Sequence, residues 1–80
     1  MFIEIFAPEK QLYSGEVNLV QLPGKKSSFE LLRNHAHIVS TLKKGVIRLI
    51  DKDGKELIFP VEGGVIENRN NNIIILVTGQ

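Results

Sequence analysis

The sequence predicts an all-β fold, a small flattened β-sandwich or barrel of about eight to ten short strands. Three observations predict it. Apolar runs rich in Ile, Val, Leu and Phe recur along the 80 residues. Glycine, proline, asparagine and aspartate punctuate them roughly every eight to twelve positions, the rhythm of a sandwich. No window of about ten or more residues carries a 3.6-residue apolar period bounded by helix caps.

The first strand is expected over Phe2 to Ala7, with Ile3 and Ile5 on one face and Phe2, Glu4 and Phe6 on the other. Pro8 closes it, because proline cannot donate to a ladder. A second extended stretch runs from Leu12 to Leu22, with a turn or bulge expected at Ser14-Gly15, and Pro23-Gly24 ends it. A short strand follows around Phe29 to Leu32, then an irregular segment from Arg33 to His37. Ile38 to Leu42 reads equally as a strand or a single helical turn. Val46 to Ile50 and Leu57 to Val61 read as a hairpin around Asp51-Lys52-Asp53-Gly54, where the glycine supplies the positive φ of a tight turn. Pro60 points to an edge strand. Gly63-Gly64 reads as a break, Val65 to Glu67 as a short strand and Asn68 to Asn72 as a turn. Ile73 to Val77 is apolar at every position, as for a strand buried between two layers.

Residues 1–80 make a single domain, since so short a chain has no room for two cores. A formal charge of +1, from ten Lys and Arg against nine Asp and Glu, lacks the concentrated positive face of nucleic-acid binders. The absence of cysteine excludes disulfides and thiolate metal sites. The longest apolar run, Ile73 to Val77, is far short of the roughly 20 residues that cross a bilayer as a helix. No signal peptide is visible, so membrane association is expected to go through a partner protein.

No constellation for catalysis assembles. His35 and His37 lie two apart, which in a strand puts both imidazoles on one face. A cupin-like metal enzyme would need a glutamate shortly after them and a distant third histidine, and neither is present. No serine sits in a nucleophile elbow. Glu62 and Glu67 read as strand-end residues rather than a carboxylate pair. Gly24-Lys25-Lys26-Ser27 lacks the preceding glycine of a phosphate loop and has no helix after it. No catalytic residue, metal or cofactor is expected. The residues by themselves point to a β-sandwich that acts by binding.

The order of the turn motifs resembles the epsilon subunits of F-type ATP synthases. Pro8-Glu9, then Leu12-Tyr13-Ser14-Gly15-Glu16-Val17, is similar to that family's P-E-x-x-L-[FY]-x-G-E-V string, and Leu22-Pro23-Gly24 follows in register. Phe29 to Ala36 resembles its F-x-I-L-x-x-H-A stretch. Gly45 to Arg48 and Val61 to Glu67 are similar to its later G-x-[IV]-x and V-x-G-G-x-x-E segments. The chain departs from the family at Lys25 to Ser28, where many members carry glycines, and at His37, where many carry proline.

That resemblance implies a non-catalytic rotor part of the central stalk, linking the gamma subunit to the ring of c subunits and coupling proton-driven rotation to ATP synthesis. It implies peripheral attachment at the cytoplasmic face of a bacterial inner membrane. It also implies a c-ring contact at Gly24, Lys25, Lys26, Ser27 and Ser28, and a gamma contact at His35, Ala36, Ile38, Val39, Thr41 and Leu42. Family members usually continue into a C-terminal helical hairpin. This sequence reaches Gln80 directly after its last expected strand, so neither that hairpin nor ATP binding is expected of it. The alternatives are an adaptor sandwich with another partner and, less favoured, the cupin-like metal enzyme.

Overall fold

A computed structural model describes residues 1–31, 34 and 37–78, and among these every regular element is a strand. They are β1 (Phe2–Ala7), β2 (Lys10–Leu22), β3 (Phe29–Leu31), β4 (Ile38–Leu42), β5 (Gly45–Asp51), β6 (Glu56–Val61), β7 (Gly63–Arg69) and β8 (Asn72–Thr78). Their order across the sheet is β4-β7-β8-β1-β2-β5-β6, with β3 beside β2. β1 and β8 run parallel, whereas β2 pairs antiparallel with β1, β3 and β5.

The long strand β2 curls this sheet into two layers. Its first half pairs with β1 and its second half with β3 and β5. Val17 stands opposite Asp51 and Leu19 opposite Ile50, so Asn18 is an extra, bulged residue between the two halves. A bulge bends a strand and increases its twist, which lets one strand serve both layers. At the far side Gly24 bridges to Leu42, and the Lys43 amide donates to the Pro23 carbonyl at 2.9 Å.

The alternation of β1, β7 and β8 turns Ile3, Ile5, Ile66, Ile73, Ile75 and Val77 inward. They join Val20, Leu22, Leu31, Ile47, Leu49 and Val61 in one buried cluster. Each such side chain contributes about 1.5–3 kcal/mol when fully buried. Tyr13 packs against Phe59 at 5.9 Å between ring centroids, tying β2 to β6. Burial, and secondarily the charge of Asp51, raise the Tyr13 hydroxyl above the ordinary phenol range, so the ring packs as a neutral group at physiological pH.

Several elements differ from the sequence expectation. β2 runs unbroken through Ser14-Gly15, because Gly15 pairs in register with Ile3 and makes room for the Tyr13 hydroxyl, 3.1 Å from where its Cβ would stand. The irregularities fall instead at Leu12 and Asn18. Gly63 and Gly64 open β7 rather than break the chain. A Cβ on Gly64 would collide with the Leu76 carbonyl oxygen, so glycine there permits close approach of β8. The turn expected over Asn68 to Asn72 shrinks to Asn70 and Asn71, at φ 52° and 63°, with Arg69 facing Asn72. Two adjacent left-handed residues are what a two-residue hairpin needs. Ile38 to Leu42 is a strand, and β6, which carries Pro60, ends the strand order. Leu32, expected to end the third strand, lies outside the described residues.

Asn68 is fully buried in β7, opposite Ile38 on one side and Ile73 on the other. Among the described residues neither its amide nitrogen nor its amide oxygen has a hydrogen-bonding partner. An unpaired buried amide costs about 1–3 kcal/mol. Replacing it with a leucine of the same branching and heavy-atom count, Asn68→Leu, is therefore expected to raise the unfolding free energy by about 1–2 kcal/mol. Urea titration checks this, and a lower midpoint would show that the amide is satisfied in solution.

Candidate docking surfaces

The outward face of the layer formed by β4, β7, β8 and β1 is built in rows. Thr41, Val65, Leu76 and Phe6 stand side by side on successive strands. Val39, Glu67, Ile74 and Glu4 form the adjacent row. Of these, Val39 is 70% exposed, Leu76 51%, Ile74 43% and Val65 41%, so the face displays large aliphatic side chains to solvent. Beside them a groove of about 710 Å³ runs between β1, β7 and β8, with Phe6, Pro8, Val65 and Leu76 in its walls. Isolated apolar residues are ordinary on a protein surface, but a contiguous patch of this kind is a candidate docking surface.

Polar groups frame this face. His37 Nε2 lies 3.0 Å from Glu67 Oε2. Gln11 Nε2 donates to Glu4 Oε2 at 3.2 Å. The tip of the β7–β8 hairpin bonds Asn34: its backbone amide donates to Asn71 Oδ1 at 2.7 Å, and Asn71 Nδ2 donates back to Asn34 Oδ1 at 3.2 Å. Among the described residues no three of His, Cys, Asp and Glu come together as metal ligands.

A second surface is the loop between β2 and β3. Lys25, Lys26, Ser27 and Ser28 are exposed, and neither lysine forms an ion pair among the described residues. Gly24 is buried at the base, where a Cβ would meet the Phe29 ring at 2.7 Å. It shapes the loop and presents nothing itself. On the opposite outward face, Val46 and Ile58 are also exposed, beside the Arg48–Glu56 ion pair.

The residues named from the sequence thus divide. Val39 and Thr41 point outward from β4, while Leu42 is buried and Ile38 half-buried against the core. His35 and Ala36 lie outside the described residues. Sequence reasoning missed Ile74 and Leu76, because the unbroken apolar run of β8 reads as buried on both faces, and with them their row neighbours Val65 and Phe6. The available signal was the fold class itself, since a strand in a two-layer sandwich has one inner face only.

Comparison with known proteins agrees with this architecture. Residues 1–79 match the family model for the β-sandwich domain of the ATP synthase delta/epsilon chain. The ATP synthase epsilon chain of Campylobacter hominis is 39% identical over 80 residues, covering 99% of this chain and 62% of that protein. That of Leptospira interrogans is 42% identical over 74 residues, covering 92% and 58%. That of Chlorobaculum tepidum is 38% identical over 74 residues, covering 92% and 84%. The chain therefore spans less than two thirds of the length of the first two relatives. In fold it is similar to a chain of the Euglena gracilis mitochondrial ATP synthase, in a structure of its OSCP, F1 and c-ring (TM-score 0.87, 14% identity, 96% of this chain and 49% of that one). A chain of the Tetrahymena thermophila mitochondrial ATP synthase central stalk and c-ring gives a TM-score of 0.79 at 15% identity, covering 99% and 63%. This chain, a curled sandwich with an unpartnered aliphatic face, belongs to the ATP synthase delta/epsilon family and carries its β-sandwich domain.

Proposed function

We propose that the chain is a non-catalytic rotor subunit of a proton-translocating F-type ATP synthase, joining the gamma subunit to the c ring in the central stalk. The observation that carries this reading is the outward aliphatic face around Ile74 and Leu76, in a chain of this family. A close-packed sandwich has low compressibility and passes force from one face to another without chemistry. Gamma covers the aliphatic face, meeting Val39 and Thr41 of β4 together with Val65, Ile74 and Leu76, while His35 and Ala36 belong to the adjoining segment. Ile38 and Leu42 support that contact from beneath. Lys25, Lys26, Ser27 and Ser28 meet the c ring from the loop that Gly24 anchors. Attachment to the cytoplasmic face of the membrane follows from the complex. Among the described residues no helix is long and apolar enough to cross a membrane.

The charge-reversing pair Lys25→Glu and Lys26→Glu tests the ring contact. Exposed ion pairs contribute about 0–1 kcal/mol each, so losing both is expected to weaken attachment to detergent-solubilised c ring about tenfold. The fold should be unaffected, since both side chains are exposed. Unchanged co-purification with the ring would remove the loop from that interface. Co-purification of both gamma and the c ring with the tagged chain tests the function as a whole. Capture of neither, with the chain folded, would favour the adaptor reading.

A further inference from the structure

The aliphatic face contains two carboxylates where a purely apolar contact would have none. Glu4 on β1 and Glu67 on β7 are the two register partners of Ile74 on β8, so they flank that side chain in one row. Two inter-strand spacings separate their backbones by roughly 9–10 Å. Each already has one neighbour at the rim, Gln11 for Glu4 and His37 for Glu67. Among the described residues neither is paired with a lysine or arginine. Arg69 follows two positions after Glu67 on the same face, opposite Asn72, and forms no ion pair with it among the described residues.

A surface that covers Leu76 and Ile74 must also take both carboxylates out of water. Desolvating an ionised carboxylate without a cation costs more than the surrounding apolar contact returns. We propose that the surface seated on this face carries an arginine that lies over Ile74 and bonds Glu4 and Glu67, within an otherwise aliphatic contact. A guanidinium is planar, weakly hydrated and forked, so it can cover an apolar side chain while donating to two carboxylates. A second copy of this chain does not fit. A two-fold axis through Ile74, along the strand or along the row, would set glutamate of one copy against glutamate of the other, like charge on like. The proposal rests on the reading that gamma occupies this face, and it names the chemistry gamma must bring.

The test titrates purified gamma into the chain and into the near-isosteric variant Glu4→Gln with Glu67→Gln, at low and high salt. Close interfacial charges set both affinity and salt dependence. The variant is expected to bind about tenfold more weakly at low salt, and its affinity should vary little with salt while that of the parent chain falls. Equal or tighter binding by the variant, with the same salt slope, overturns the arginine. Leu76→Asp separates the two readings: if it too leaves binding unchanged, gamma does not use this face at all. Dimerisation of the chain alone that Leu76→Asp abolishes would overturn the proposal in favour of self-docking.

Discussion

Ile75→Ala is expected to lower the unfolding free energy by about 3–5 kcal/mol. Ile75 is fully buried at the middle of β8, with Ile66 of β7 and Ile5 of β1 as its register partners, both buried as well. Truncation removes three carbons from the centre of this row. The loss of transfer free energy is then joined by the cost of a cavity, because strands hydrogen-bonded on both sides cannot close on the space. A domain of this size has roughly 4–12 kcal/mol of stability in total, so the variant should stand near the edge of folding. Urea titration reads the effect as a lower midpoint at unchanged slope. A midpoint within experimental error of the parent would mean that β8 does not pack as described.

The next residue along the strand should behave in the opposite way. Leu76 points outward, half exposed, between Val65 of β7 and Phe6 of β1. Leu76→Asp is expected to lower stability by only about 1 kcal/mol, the scale of strand propensity and cross-strand pairing. Its effect on gamma should be large. A carboxylate at the centre of an aliphatic contact removes an anchor and must itself be desolvated, a loss of the kind seen at interface hot spots. The expected weakening is more than about a hundredfold, or at least 2.8 kcal/mol. Calorimetric titration with gamma reads it, and an unchanged Kd would exclude Leu76 from the contact. Adjacent residues of one strand are thus expected to divide stability from binding, because successive side chains leave opposite faces of the sheet.

Much of this was legible in the sequence. Phe2 to Ala7 and the hairpin around Gly54 follow from period-two patterning and from the need for a positive φ, which Gly54 adopts at 84°. The family followed from the order of turn motifs, which local patterning alone could not supply. What local patterning could not settle were features decided by distant neighbours. Gly15 and Gly64 look like chain breaks until the Tyr13 side chain and the β8 backbone are seen against them. Asn68 belongs to an asparagine-rich stretch and reads as turn, yet the pairing of β7 with β4 and β8 draws it into the core. The parallel pairing of β1 with β8 joins the two ends of the chain and leaves no local trace. The proposed docking face was legible only in part. Val39 and Thr41 came from the resemblance, but Ile74 and Leu76 were hidden in an apolar run that gives no hint of which face a partner covers.

The methyl resonances of the chain, followed by NMR as gamma is added, report which outward face gamma covers. The two outward faces both carry aliphatic methyls, so the experiment chooses between them. Signals of Val39, Val65, Ile74 and Leu76 are expected to shift or broaden, while those of Val46 and Ile58 on the opposite face stay where they are. Perturbation of Val46 and Ile58 with the first four unmoved would place gamma on the other face and exclude the β4-β7-β8-β1 layer from the contact.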